Sequence, residues 1–163
     1  MLLIRNASQK DAKLIRELSW KVWPQTYSSL LSAEQIDYMM DLMYSETALL
    51  QQMQKGHQFL IGSINNEPVA FASYGEIENS IYKLHKIYVL TSQQGQGFGK
   101  CIIEHIMKDI GHKNANALRL NVNRHNKAKD FYQKLGFEVV GEEDIDIGNG
   151  YFMNDYVMEK KLK

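Results

Sequence analysis

Three glycines at alternate positions, Gly95, Gly97 and Gly99, followed by Lys100, are the residues whose spacing points most directly to chemistry. Upstream of them, Ile81 to Val89 is rich in β-branched and aromatic residues and reads as a strand. Downstream, Phe98, Ile102, Ile103, Ile106 and Ile110 recur at helical spacing. A strand, a glycine-rich turn and a helix start together present main-chain N–H groups to an anion, and the helix dipole adds to the attraction. A phosphate-bearing ligand is therefore expected here. Two nucleotide motifs fit poorly. A P-loop needs Ser or Thr after Gly-Lys, but Cys101 follows Lys100. The dinucleotide fingerprint needs G-x-G-x-x-G and an acidic residue about 20 positions on, and this loop reads G-x-G-x-G with no clear acidic strand end after it.

The elements that would hold this loop are legible along the chain. Leu2 to Arg5 reads as a first strand, and Ser8 with Asp11 as the start of a helix over Gln9 to Val22, ended by Pro24. The following stretch, Trp23 to Tyr27, reads as an aromatic loop suited to a binding-site wall. Ser32 with Gln35 has the form of a capping box. It opens a helix whose Ile36, Met39, Met40 and Met43 form one stripe, either adaptable core or a pliable pocket. Ser45 starts a further helix to about Lys55, with Leu49, Leu50 and Met53 inward, and Gly56 stops it. Strands are expected over Gln58–Ile64 and Val69–Gly75, with a turn at Glu76–Asn79 before the strand that enters the glycine loop. A helix over 98–112, a strand over Ala117–Val122 and a helix over Asn126–Leu135 follow. Strands Phe137–Ile147 and Tyr151–Lys160 close the chain around the tight turn Gly148-Asn149-Gly150. This order predicts an α/β layer architecture built on one mixed sheet.

Composition narrows the function classes. The 163 residues suit one domain over 1–163 with a substantial core, and apolar and charged shares of 44% and 23% are those of a soluble globular protein. Lys plus Arg and Asp plus Glu both number 19, so no general polyanion surface and no nucleic-acid partner is indicated. Cys101 is the single cysteine, which excludes an internal disulfide, and its helical position reads as a buried small hydrophobe rather than a nucleophile. No apolar run approaches the roughly 18 residues needed to span a membrane, and the N-terminus does not resemble a signal peptide. Cytoplasm is the expected location.

Gln94-Gly95-Gln96-Gly97-Phe98-Gly99 fits Q/R-x-x-G-x-G/A, which resembles the acetyl-CoA loop of the GCN5-related N-acetyltransferases, the GNAT superfamily. A second segment strengthens the resemblance. Leu120 to Ala128 resembles the family's segment with N-x-x-A before a helix, and Phe131-Tyr132-Gln133-Lys134-Leu135-Gly136-Phe137 its F/L-Y-x-K-x-G-F signature. The element order extends the likeness over nearly the whole chain. The resemblance implies the GNAT fold, a central mixed and mostly antiparallel sheet flanked by helices, and acetyl transfer from acetyl-CoA to a primary amine without a metal. It also implies roles for individual residues. Main-chain groups of Ile87, Tyr88 and Val89 would hold the pantetheine arm, and the backbone of Gln94, Gly95, Gln96, Gly97, Phe98 and Gly99 the pyrophosphate. Lys100 and Lys134 would reach phosphates, and Asn126, also well placed as a helix N-cap, would bond the pantetheine or neighbouring groups. Tyr132, otherwise a plain core aromatic, would be the general acid for the leaving thiolate, since a phenol is protonated at neutral pH.

The general base stays open. Family members that carry a strand glutamate for this task have it where this chain has Lys83. His85, Glu76 or a water chain to solvent are the candidates. The acceptor side, by resemblance, comprises Trp20 to Tyr27 and the 148–150 hairpin. The carboxylates Glu142, Glu143, Asp144 and Asp146 either draw a cationic amine or are solvated charges on a strand edge. The runs Trp23–Met53 and Tyr151–Lys160 most resemble PaiA-type polyamine acetyltransferases, which implies spermidine or spermine as the small-molecule acceptor. The other readings are a peptide or protein amine as acceptor, or an acyl-CoA-binding or regulatory module without turnover. A homodimer is a common state in this superfamily.

Overall fold

A computed structural model describes residues 1–163 and runs β1 (Leu3–Asn6), α1 (Ala12–Tyr27), α2 (Ala33–Tyr44), α3 (Glu46–Gln54), β2 (Gln58–Ile64), β3 (Glu67–Glu78) and β4 (Ile81–Val89). It continues with α4 (Phe98–His112), β5 (Ala117–Asn123), α5 (Ala128–Lys134), β6 (Glu138–Gly148) and β7 (Tyr151–Lys161). The strands form one seven-stranded sheet in the order β1-β2-β3-β4-β5-β7-β6. Its β4–β5 ladder is parallel, while β1–β2, β2–β3, β5–β7 and β6–β7 are antiparallel. This is the mixed, mostly antiparallel sheet that the sequence predicts. No helix is long and apolar enough to cross a membrane. By contact density the chain divides into two units, Met1–Gly75 with Lys86–Ile106, and Glu76–His85 with Met107–Lys163.

In the first unit, local hydrogen bonds set where the helices begin. Ser8 and Asp11 form a reciprocal cap around a 3-10 turn, Gln9–Asp11, that leads into α1. The Asp11 carboxylate accepts the Ser8 N–H at 2.8 Å and takes both arms of Arg5 at 2.9 and 2.8 Å. Ser32 Oγ accepts the Gln35 N–H and Ser45 Oγ the Ala48 N–H, both at 3.1 Å, so both serines read as caps are caps. One expectation is corrected. Pro24 does not end α1 but lies inside its last turns. Proline there gives up one helical bond. The helix nonetheless continues because Trp23 and Tyr27 pack together, with ring centroids 4.4 Å apart, and Ser28 N–H bonds the Pro24 carbonyl at 3.0 Å.

The core of this unit joins helices α1–α3 to β2, β3 and α4. Ile15, Leu18 and Val22 of α1, Met39, Met40 and Tyr44 of α2, and Leu49 of α3 are buried with Phe59, Leu60, Ile61 and Phe71. Of the methionine stripe, Met39 and Met40 are core, Met43 is half-buried, and Tyr44 completes the inner face. Ile102, Ile103 and Ile106 are the buried side of α4. Cys101, one position off that stripe, is exposed, so the expected burial of this thiol is corrected.

In the second unit, β4 pairs with β5 from Ile81–Ala117 to Leu84–Leu120, and β5 continues along β7 to Asn123–Asp155. Leu118, Leu120 and Met158 are buried, as are Tyr132 within α5 and Phe137 just after it. Strand β3 runs on through Glu78, where a turn over Glu76–Asn79 is expected. The reversal is made instead by Asn79 and Ser80, both left-handed with φ of 43° and 64°. Helix α5 is shorter than its 126–135 reading and buries only Tyr132, while Phe131 stays exposed. Gly136, at φ 96°, ends it as read.

The Arg5 guanidinium, and to a lesser degree the Ser8 N–H, hold the Asp11 carboxyl below the ordinary carboxylate range despite its partial burial. Such a group stabilises the fold above its unfolded pKa, and the stabilisation is lost as pH falls through the lower folded value. Asp11→Ala is expected to cost about 1 kcal/mol at neutral pH in urea unfolding. The gap to the wild-type chain should close as the medium is acidified below that range.

Candidate functional site

The glycine turn is built from residues whose backbone conformations demand it. Leu90 N–H bonds the Val69 carbonyl at 2.9 Å, and a 3-10 turn over Thr91–Gln93 leads out of β4. Gln94 then folds back so that its Nε2 donates to the Val89 carbonyl at 3.1 Å, which braces the loop against the strand end. Gly95 and Gly97 stand at φ 82° and 80°, where a side chain is strained. A Cβ built on either would meet no protein atom within 4 Å, so the glycines hold an open approach to the main chain. The first helical bond of α4 runs from Cys101 N–H to the Gly97 carbonyl at 3.1 Å. The N–H groups of Phe98, Gly99 and Lys100 come before it, at the positive end of a 15-residue helix. Residues Gln94 to Gly97 are exposed, Phe98 and Gly99 half-buried, and Lys100 exposed with Glu104 at 3.9 Å. This arrangement suits a polyphosphate bound by main-chain donors.

The strand end entering the loop carries Ile87, Tyr88 and Val89, all half-buried. The β4–β5 ladder stops at Leu84, although β4 runs on to Val89. The Tyr88 ring joins Trp23 and Phe71 at centroid distances of 6.0 and 5.6 Å, and its hydroxyl lies 3.2 Å from that of Tyr27. Tyr44 packs on Trp23 and Phe71, and the Lys86 ammonium sits 4.5 Å over the Tyr44 ring. Burial pushes the Tyr44 phenol far up, so it stays neutral. Thr91 Oγ1 also bonds Gln25 Oε1. The aromatic stretch at Trp23–Tyr27 is therefore part of a packed cluster. Tyr44, Phe71 and Lys86 belong to it without any local sequence signal.

In the second unit, Tyr132 and Lys134 lie on α5, and Asn126 lies two residues before it. Asn126 Oδ1 accepts the Ala128 N–H at 2.9 Å, a side-chain turn bond at the entry to α5, where Lys127 rather than Asn126 stands at the N-cap position. Tyr132 is 9% exposed and lies between Phe131 and Phe137, with centroids at 5.3 and 5.9 Å. Its carbonyl accepts the N–H groups of Leu135 and Phe137 at 3.1 and 3.0 Å. Lys134 is exposed, and Lys160 Nζ bonds the Leu135 carbonyl at 2.6 Å.

The candidate bases separate by their partners. Glu76 accepts the Ser80 N–H at 2.9 Å and clamps the β3–β4 turn. His85 is half-buried on β4, two residues beyond Lys83. The acidic run on β6 does not form one cluster. Arg124 takes Glu142 at 3.4 Å and also pairs with Asp144, whereas Glu143 bonds Asn121 at 3.3 Å.

Residues 28–160 match the family described as the acetyltransferase (GNAT) domain. Over 60 residues the chain is 47% identical to the 5-NmdU N-acetyltransferase of Pseudomonas phage PaMx11, a match that spans 36% of this chain and 41% of that protein. It is 28% identical over 153 residues to the uncharacterized N-acetyltransferase YuaI of Bacillus subtilis (strain 168), spanning 90% of this chain and 86% of that one. The PaiA N-acetyltransferase from Thermoplasma acidophilum, solved in complex with coenzyme A, superposes with a TM-score of 0.83 at 27% identity over 99% of each chain.

Because Asn126 satisfies the first N–H of α5, Asn126→Ala should lower the stability to urea by about 1 kcal/mol, whatever else the residue does. An unchanged unfolding midpoint would leave that bond without energetic weight.

Proposed function

Because the chain belongs to the GNAT family of acetyltransferases, we propose that it transfers an acetyl group from acetyl-CoA to a primary amine by direct attack, with a polyamine such as spermidine or spermine as acceptor. The observation that carries the donor half is the glycine turn, with open faces at Gly95 and Gly97 ahead of the α4 N-terminus. Main-chain N–H groups from Gln94 to Gly99 take the pyrophosphate, Lys100 and Lys134 add charge near phosphates, and main-chain groups of Ile87, Tyr88 and Val89 align the pantetheine arm. Asn126 contributes its amide there while its carbonyl accepts the first N–H of α5. The bound coenzyme supplies the acyl group as a thioester, already activated.

The chain's own residues handle orientation and protons. The N–H near Val89 polarises the acyl oxygen, as an oxyanion donor does. Tyr132 is the general acid, a phenol whose ordinary pKa lies near that of a thiol. A cationic, extended acceptor is favoured by Tyr27 and Tyr88, the half-buried members of the aromatic cluster. Aromatic faces attract alkylammonium groups, and Lys86 already makes such a contact within the chain. The full-length likeness to the PaiA enzyme supports the same class.

Two substitutions test the parts separately. Gly97→Val forces a β-branched side chain onto φ 80° and into the anion approach. It should abolish coenzyme A binding, measured by calorimetry, in a chain that still folds. Retained affinity would put the pyrophosphate elsewhere. Tyr132→Phe should keep coenzyme A affinity and lower kcat by something like 10²-fold in a thiol-release assay. Equal turnover with chemistry rate-limiting would remove Tyr132 from the mechanism. The assay panel should hold polyamines, aminoglycosides and peptides. Turnover of peptides alone would transfer the acceptor class to protein amines, and coenzyme binding without any turnover would make the chain a binding module.

A further inference from the structure

Gly95 and Gly97 give the turn after β4 more conformational freedom than any other residue type would. Its affinity for an anion therefore depends on how fully the free chain already holds the open shape, since apparent affinity falls with the competent fraction. Whatever holds that shape is part of the binding apparatus, even without touching the ligand. The contacts that do so all lie within the first unit.

Leu90 N–H to the Val69 carbonyl at 2.9 Å and Gln94 Nε2 to the Val89 carbonyl at 3.1 Å fix the start of the turn to the sheet. A further tie comes from a different element. Thr91 opens the 3-10 turn and donates its hydroxyl to Gln25 Oε1, 66 positions away in the last turns of α1. The Thr91 carbonyl accepts the Gln94 N–H at 3.3 Å. The bond to α1 thus acts on the short turn from which Gln94 folds back, just before Gly95.

The end of α1 is held firmly enough to serve as an anchor. Pro24 removes a helical bond there, and tertiary contacts take its place. The buried Trp23 ring lies 6.0 Å from that of Tyr88, and the Tyr27 hydroxyl lies 3.2 Å from the Tyr88 hydroxyl. Tyr88 belongs to the strand that enters the glycine turn, so Gln25 meets Thr91 from a helix end clamped on that same strand. Both side chains of the bond are exposed. Water satisfies them when the bond breaks, and global stability changes little. The local shape of the turn is what the bond sets.

We propose that Gln25 and Thr91 are positioning residues for the coenzyme, whose bond holds the glycine turn open so that its main-chain N–H groups face the pyrophosphate. The role rests on the reading of that turn as the coenzyme site. It gives the Trp23–Tyr27 stretch, expected from the sequence on the acceptor side, a second task on the donor side.

The test is coenzyme A affinity by calorimetry, alongside urea unfolding, for wild type, Thr91→Val, Thr91→Ser, Gln25→Ala and the double variant Gln25→Ala with Thr91→Val. Each of Thr91→Val and Gln25→Ala should weaken binding about five-fold, the weight of one hydrogen bond. The double variant should lose no more than either single one, because both remove the same bond. Thr91→Ser keeps the hydroxyl and should bind as wild type does, and the unfolding midpoints should all agree. Wild-type affinity in Thr91→Val, additive losses in the double variant, or losses that follow a fall in the midpoint overturn the role. Equal binding by every variant overturns this role alone. Failure of the wild-type chain to bind coenzyme A refutes the donor-site reading, and the role falls with it.

Discussion

The backbone between Val89 and Cys101 has to turn from strand to helix while leaving main-chain donors uncovered. Two residues at positive φ, Gly95 and Gly97, make that possible. An L side chain in the left-handed region costs roughly 1–2 kcal/mol, and at these positions it would also stand in the approach to the N–H groups. The turn is held from behind by main-chain and side-chain bonds, Leu90 to Val69 and Gln94 to Val89, and from ahead by Ile102, Ile103 and Ile106 in the core. The helix dipole is therefore aimed by packing that has no part in binding.

Behind the strand end, desolvation organises the aromatic cluster. Trp23, Tyr27, Tyr44, Phe71 and Tyr88 shield one another, and the Tyr27 and Tyr88 hydroxyls meet at 3.2 Å. Burial keeps the Tyr44 phenol neutral, and Lys86 lies over its ring as a nearly buried cation. The same packing accounts for Pro24, because contacts of the last turn of α1 with β4 offset the helical bond that proline removes.

The second unit distributes charge differently. Arg119 pairs with Glu78 and Glu159, and Arg124 with Glu142 and Asp144, so part of the acidic β6 strand is internally compensated. Asp155 and Glu143 share an amide instead of an arginine. Burial, more than any neighbour, holds the Asp155 carboxyl above the ordinary carboxylate range.

What the sequence determined by itself was local. The caps at Ser8, Ser32 and Ser45, the glycine turn, the 148–150 hairpin and the helical spacing of the α4 isoleucines are each set by residues a few positions apart, through dihedral preference and short-range hydrogen bonds. The likeness of the glycine turn and the 123–137 segment to a known family was legible for the same reason. Cys101 could have been read correctly too, since it falls off the isoleucine stripe. Tertiary structure alone decided the rest. Tyr27 meets Tyr88 across 61 positions, and Asp155 meets Asn121 across 34. Strand register and helix packing make those neighbours, and burial then sets their charge, so no local pattern marks Asp155 apart from the other acidic residues near it.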